Sequence, residues 1–358
     1  MTTHRFVLVP LVALLATPTV GVAQSASYVL KGDSVAVYNL VGELRLEPAS
    51  ARGGDVTVEL RRGGADAAQL EVRTGPLRGR ETLRVIYPDD VISLPDWGRG
   101  WNTTLRVRDD GTFGDGGEWR REGGRGGRQV RITGRGRGLE AYADLRVTVP
   151  AGKRVALYVG VGKAFVSNVD GVIRVHVASG DVTADRTRGT LKVETGSGNV
   201  DLRDGAGDVS LATGSGDVTA GALRATRLRL ETGSGNVTLS DAVAAELHVE
   251  TGSGDVTASG AQGDNLSFET GSGNVDVALL AAFRTLAIET GSGDVTLRVP
   301  PTIGAEVDLE TGSGDIDLGG VTLQVRRLAQ DHITGTIGDG RGRLSIETGS
   351  GNVRLVKS

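Results

Sequence analysis

Glutamates recur at a nearly fixed interval in this sequence, each beside the same tetrapeptide. Glu194, Glu231, Glu250, Glu269, Glu289, Glu310 and Glu347 immediately precede Thr-Gly-Ser-Gly, and an Asp or Asn follows four residues after each of those threonines. Oxygen-rich ridges of this kind hold hard cations loosely. Glu231, Glu250, Glu269 and Glu289, with Asp255 and Asp294 from the second file, are therefore candidates for a weak cation ridge. A dedicated calcium roll has a different pattern, G-G-x-G-x-D-x-U-x, in which the aspartate two positions after the closing glycine is a ligand. Here that position holds Val200, Val218, Val237, Val256, Val275, Val295, Ile316 and Val353. A core residue has replaced the ligand, so no resident metal is expected and the ridge reads chiefly as a solvated acidic edge.

Carboxylates are also the reagents of glycosidases and polysaccharide lyases, where they cluster in a groove. In this chain they recur with the repeat, and no unique pair stands out. His176 and His248 lie within alternating, strand-like stretches, where packed or exposed filler is the expected role. No catalytic residue and no cofactor are assigned. A carbohydrate-active β-helix enzyme stands as the alternative function.

One stretch, 97–138, breaks the pattern and holds all three tryptophans. Tryptophan and arginine are favoured anchors for protein and sugar ligands. Trp97, Trp101, Trp119, Arg120 and Arg121 are the binding candidates. The run RREGGRGGRQVRITGRGRG resembles an RNA-binding Arg-Gly-Gly segment. A net charge of −4 and an export signal argue against nucleic acid as a partner.

The elements that position these residues follow from the repeat. Thr-Gly-Ser-Gly begins at Thr195, Thr213, Thr232, Thr251, Thr270, Thr290, Thr311 and Thr348, in steps of 18, 19, 19, 19, 20, 21 and 37 residues, the last close to two periods. Within each copy apolar and polar residues alternate, as in Leu228-Arg-Leu-Glu-Thr232, which is the period of a strand. The inward parity changes across Gly-Ser-Gly, so a corner is expected there. A rung of about 19 residues cannot bury its own apolar edge but can do so stacked on copies of itself. A β-propeller would need ~40–50 residues per blade and is the lesser alternative.

The residue after each closing glycine reads Asp181, Asn199, Asp217, Asn236, Asp255, Asn274, Asp294, alternating charged and neutral until Asp315 breaks the rule. Like charges one rung apart, ~4.8 Å, repel by roughly 0.9 kcal/mol even in bulk water. Alternation relieves such a file.

The chain has no cysteine and only 4% aromatic residues, so stability must come from backbone pairing and a continuous aliphatic core. The N-terminal MTTHR followed by FVLVPLVALLATPTVGVA, with Gly21 and Ala23 at the −3 and −1 positions, reads as a signal peptide over 1–23. The expected organisation is that signal, an irregular N-terminal β region over 24–142 carrying the 97–138 insert, and a repeat β-solenoid over 143–358 continuous with it. No transmembrane segment is expected in the mature chain.

From Ala143 onward the segments LRVTVPAG, VASGDVTA, VETGSGNV and LETGSGDI resemble the bacterial putative-adhesin family of β-strand-repeat proteins, formally a domain of unknown function. The resemblance implies an all-β, single-stranded, right-handed β-helix on an exported protein, and it brings no catalytic residues with it. The expectation is a non-enzymatic scaffold, secreted or periplasmic at the cell envelope, whose partner is an envelope protein or glycan.

Overall fold

A computed structural model describes residues 25–50, 53–95, 101–114 and 127–358. Apart from a 3-10 turn at Ala67–Gln69, every regular element among them is a strand. The chain is a β-solenoid in which successive copies of the repeat pair in parallel. Val182–Ser197 lies on Val200–Ser215, which lies on Val218–Ser234, which lies on Val237–Thr251. Each rung has two strands meeting at the Gly-Ser-Gly corner, and is named below by its turn threonine. Apolar residues on both sides of the corner, such as Leu228, Leu230, Val237 and Leu239, are at most 1% exposed and stack into columns.

The corner explains why the tetrapeptide varies so little. The threonine is buried, and its hydroxyl donates to the carbonyl of the closing glycine one rung away: Thr251 to Gly235 at 2.9 Å, Thr270 to Gly254 at 3.0 Å. The closing glycine takes a left-handed conformation that turns the strand without a bulky Cβ, as at Gly254, φ +149°. Variation in repeat length is absorbed at the opposite corner. There Asp204, Ala222 and Asp241 have φ of 50–55°, and the register shifts between Gly207 and Val209 and between Ser259 and Ala261.

Stacking begins before the recognisable repeats. Ser34–Val41 and Leu44–Pro48 form a rung with Gly42 at its corner, and Lys153–Val161 and Ala164–Ser167 lie parallel to it with Gly162 at theirs. Between these two rungs the chain makes an excursion. Val56–Gly63 pairs antiparallel with Ser25–Leu30 and with Tyr142–Val149, and Glu71–Leu77 forms a hairpin with Arg80–Ile86. Arg80–Ile86 then adds to the outside of the first rung. A separate sheet joins Val91–Ser93, Arg128–Thr133 and Asn102–Val107. The described part of the 97–138 insert thus contains two strands, and its Val107, Phe113, Val130 and Ile132 join the buried core.

At the far end the rungs leave chain order. The Thr290 rung pairs with Gly342–Thr348 and Val353–Lys357, and that last rung pairs in turn with Ala305–Thr311 and Ile316–Asp317. The 37-residue step is therefore not two rungs of travel: the Thr348 rung lies between the Thr290 and Thr311 rungs. An antiparallel hairpin, His332–Ile337 with Gln324–Leu328, closes this end. All five residues of the outermost strand are exposed, and Arg326 and Arg327 place charge on that edge.

Candidate functional site

The alternating file after the corner glycine is a continuous hydrogen-bonded ladder. Each backbone N–H donates to the side-chain oxygen of the neighbouring rung: Asn236 to Asp217 at 2.8 Å, Asp255 to Asn236 at 2.9 Å, Asn274 to Asp255 at 2.8 Å. Asp255 and Asp294, two of the proposed cation ligands, are members of this ladder and accept from Asn274 and Asn352. The glutamates of the ridge stand in a different file on the other side of the turn.

In that second file Glu231, Glu250, Glu269 and Glu289 are cross-strand neighbours in register. The strand places basic residues two positions upstream. Arg229 pairs with Glu231 and reaches Glu250 at 3.6 Å; His248 Nε2 lies 3.3 Å from Glu250, and its Nδ1 lies 3.8 Å from Glu269. Ligand atoms of Glu231, His248 and Glu250 fall within 4.8 Å of one another. Sequence reading treated His248 as filler, whereas it bridges two ridge glutamates. Arg229, seated between Glu231 and Glu250, offsets part of the charge of this group.

Toward the N-terminal end the glutamate file gives way to rings. Tyr38, Tyr158, His176 and Glu194 follow one another in register. Tyr38 and Tyr158 stack at 4.4 Å and 3°, with Phe113 edge-on to Tyr38 at 6.0 Å. At the junction, His176 and Lys192, the latter 2.6 Å away, hold the Glu194 carboxyl down at about 2. Its folded value lies below the unfolded one near 4.5, so its stabilising contribution is complete above about pH 5 and is lost as pH falls toward 2. Glu194→Gln should therefore flatten the acid limb of a stability–pH curve between pH 5 and 2. Parallel acid limbs for the two proteins would contradict it.

A cleft of about 550 Å³ opens where the ladder begins, lined by Glu43, Trp101, Tyr142, Asp144, Lys163 and Asp181. Its floor comes from the corner file, because Glu43, Lys163 and Asp181 occupy the position after Gly42, Gly162 and Gly180. The Tyr142 ring fits against Gly63, where any Cβ would overlap it. Trp101 is half-buried against the core and is tied at its backbone carbonyl by the Gly134 N–H at 3.3 Å. Asp144 accepts the Glu43 N–H at 2.9 Å; burial, and then the charge of Glu43, raises its pKa above the ordinary carboxylate value. Lys163 Nζ is 3.9 Å from Asp181, and Arg45 pairs with Glu43 while covering the Phe165 ring at 4.5 Å. Aromatic side chains and carboxylates lining one cleft can stack on a sugar ring and accept its hydroxyls.

Of the binding candidates, Trp101 lies in this cleft; Trp97, Trp119, Arg120 and Arg121, like the signal segment 1–23, fall outside the described residues. Sequence reading missed Glu43, Tyr142, Asp144, Lys163 and Asp181 as cleft residues. A signal for three of them was present: Val-Gly-Glu at 41–43, Val-Gly-Lys at 161–163 and Ser-Gly-Asp at 179–181 are degenerate copies of the repeat corner. Tyr142 and Asp144 have no such marker.

Among the described residues no helix is long and apolar enough to cross a membrane. The family model described as Toastrack DUF4097 matches residues 129–356. Among solved structures, a putative adhesin from Parabacteroides distasonis ATCC 8503 is similar at 12% identity, covering 93% of this chain and 98% of its own, with a TM-score of 0.39. A putative adhesin from Bacteroides fragilis NCTC 9343 is also 12% identical, over 94% of this chain and 98% of its own, with a TM-score of 0.37. A putative cell adhesion protein from Clostridium sporogenes ATCC 15579 is 10% identical, over 94% and 100%, with a TM-score of 0.26. No curated protein matches the chain.

Proposed function

The chain belongs to the Toastrack DUF4097 family, and from that premise we propose that it is an exported, non-enzymatic β-solenoid that binds a cell-envelope glycan in the Trp101–Tyr142 cleft. The observation that carries the reading is the cleft itself, where Trp101 and Tyr142 line the same space as the carboxylates of Glu43, Asp144 and Asp181. The signal-like N-terminus supports delivery to the periplasm or the cell exterior, where a solenoid without cysteine needs no oxidative folding. The repeated faces serve as a rigid support, since each rung is braced by the next.

The test is binding of labelled envelope polysaccharide fragments to the wild type and to Trp101→Ala. Loss of a stacked tryptophan should weaken binding about tenfold or more, with an unchanged strand-type circular dichroism spectrum. Equal affinity in the two proteins would remove the cleft as the site. A second reading, a carbohydrate-active enzyme, is favoured by one feature: Asp144, a carboxylate outside the repeating file, stands beside Glu43, and burial raises its pKa in the direction a general acid needs. Prolonged incubation decides between them. New reducing ends or unsaturated products that disappear in Asp144→Asn would make it an enzyme; intact polysaccharide recovered from the bound state supports the scaffold.

A further inference from the structure

The position of the last rung completes the Asp/Asn file. In chain order Asp315 follows Asp294 and breaks the alternation, but in space Asn352 stands between them. The Asn352 N–H donates to Asp294 Oδ1 at 2.8 Å, its side-chain amide lies 3.2 Å from the same oxygen, and the Asp315 N–H donates to Asn352 Oδ1 at 3.1 Å. The file therefore reads Asp181, Asn199, Asp217, Asn236, Asp255, Asn274, Asp294, Asn352, Asp315 without an exception. The amide supplies a donor to the carboxylate beside it, which a second carboxylate could not do.

Two rung orders compete at this end. The sequences of the Thr311 and Thr348 rungs are alike enough for either to pair with the Thr290 rung: Leu-Glu-Thr-Gly-Ser-Gly-Asp-Ile against Ile-Glu-Thr-Gly-Ser-Gly-Asn-Val. Hydrophobic columns and glycine corners hardly distinguish them. The ladder residue does, because pairing in chain order would set Asp315 directly against Asp294. We propose that the carboxylate–carboxamide alternation is a register code that places residues 342–357 inside the solenoid, as a closing strand between two earlier rungs. Like charges one rung apart disfavour the chain-order arrangement at least fourfold, the factor given by about 0.9 kcal/mol in bulk water.

The full chain tests the code by exchange of two residues. Asp315→Asn with Asn352→Asp conserves composition and charge, yet puts the like-charge contact in the observed order and removes it from chain order. A control exchange, Asn236→Asp with Asp255→Asn, creates one like-charge contact but has no alternative order to adopt. Rung order is read by engineered cysteine pairs in a protein that has none of its own. Thr285→Cys with Arg343→Cys joins neighbours in the observed order, and Thr285→Cys with Glu306→Cys joins residues two rungs apart, beyond disulfide reach. At low ionic strength the wild type should yield the 285–343 crosslink at least fourfold over 285–306. The end exchange should lower the 285–343 yield at least fourfold and raise 285–306, with recovery in high salt, while the control keeps the wild-type pattern. A wild-type 285–343 yield in the end exchange overturns the code. Equal loss in both exchanged proteins also overturns it, since only the end exchange has another order to move to.

Discussion

Gly254→Ala should destabilise the protein by about 2–5 kcal/mol, the sum of a left-handed backbone penalty and forced overpacking. Gly254 has φ +149°, and an alanine Cβ would overlap the Gly235 carbonyl oxygen of the adjoining rung. That oxygen cannot move aside, because it is held by the Thr251 hydroxyl at 2.9 Å. Ser253, in the same turn, is exposed, and Ser253→Ala should change stability by no more than about 0.5 kcal/mol. Urea titrations of both variants check the contrast. A Gly254→Ala midpoint matching that of Ser253→Ala would show that the corner tolerates a side chain, and the reason given for its repetition would fail.

The other large effect is expected at Phe268, which is fully buried in the middle of the stack. It stands in register between Val249 and Ile288, in a column otherwise filled by aliphatic side chains. Truncation to alanine leaves a cavity whose walls are fixed by hydrogen-bonded strands on both sides, so relaxation is small and the cost should be about 3–5 kcal/mol. Phe268→Leu should recover most of it. Because each rung contacts only its neighbours, amide exchange should accelerate first in the Thr251, Thr270 and Thr290 rungs and least in the rungs nearest Gly42. A loss below about 1 kcal/mol, or uniform acceleration along the stack, would count against this packing.

How much of this was legible from residues alone differs along the chain. The all-β solenoid, its corner and its inward columns were readable because Thr-Gly-Ser-Gly and the flanking alternation are local signals. The rung at Gly42 was not, since its corner keeps only the glycine, and about 100 residues of excursion separate it from the rung at Gly162 on which it stacks. The place of the Thr348 rung was hidden for another reason: a step of 37 residues fits two periods as well as it fits a hairpin and a return. The single misfit at Asp315 was the trace of that return. Of the cleft, Trp101 was legible by residue type, while Tyr142 and Asp144 are ordinary strand residues that antiparallel pairing with Val56–Gly63 brings to the corner.

The interior position of the last rung also bears on how the solenoid would respond to tension. A pull on residue 358 loads Val353–Lys357 along its own length, with Val295–Val299 on one side and Ile316–Asp317 on the other. An outermost strand such as Gln324–Leu328 can be peeled away one bond at a time. A strand gripped on both flanks must instead slide, breaking two rows of hydrogen bonds together. Tethered at that residue, the molecule would meet shear within the stack before its exposed edge was asked to bear anything.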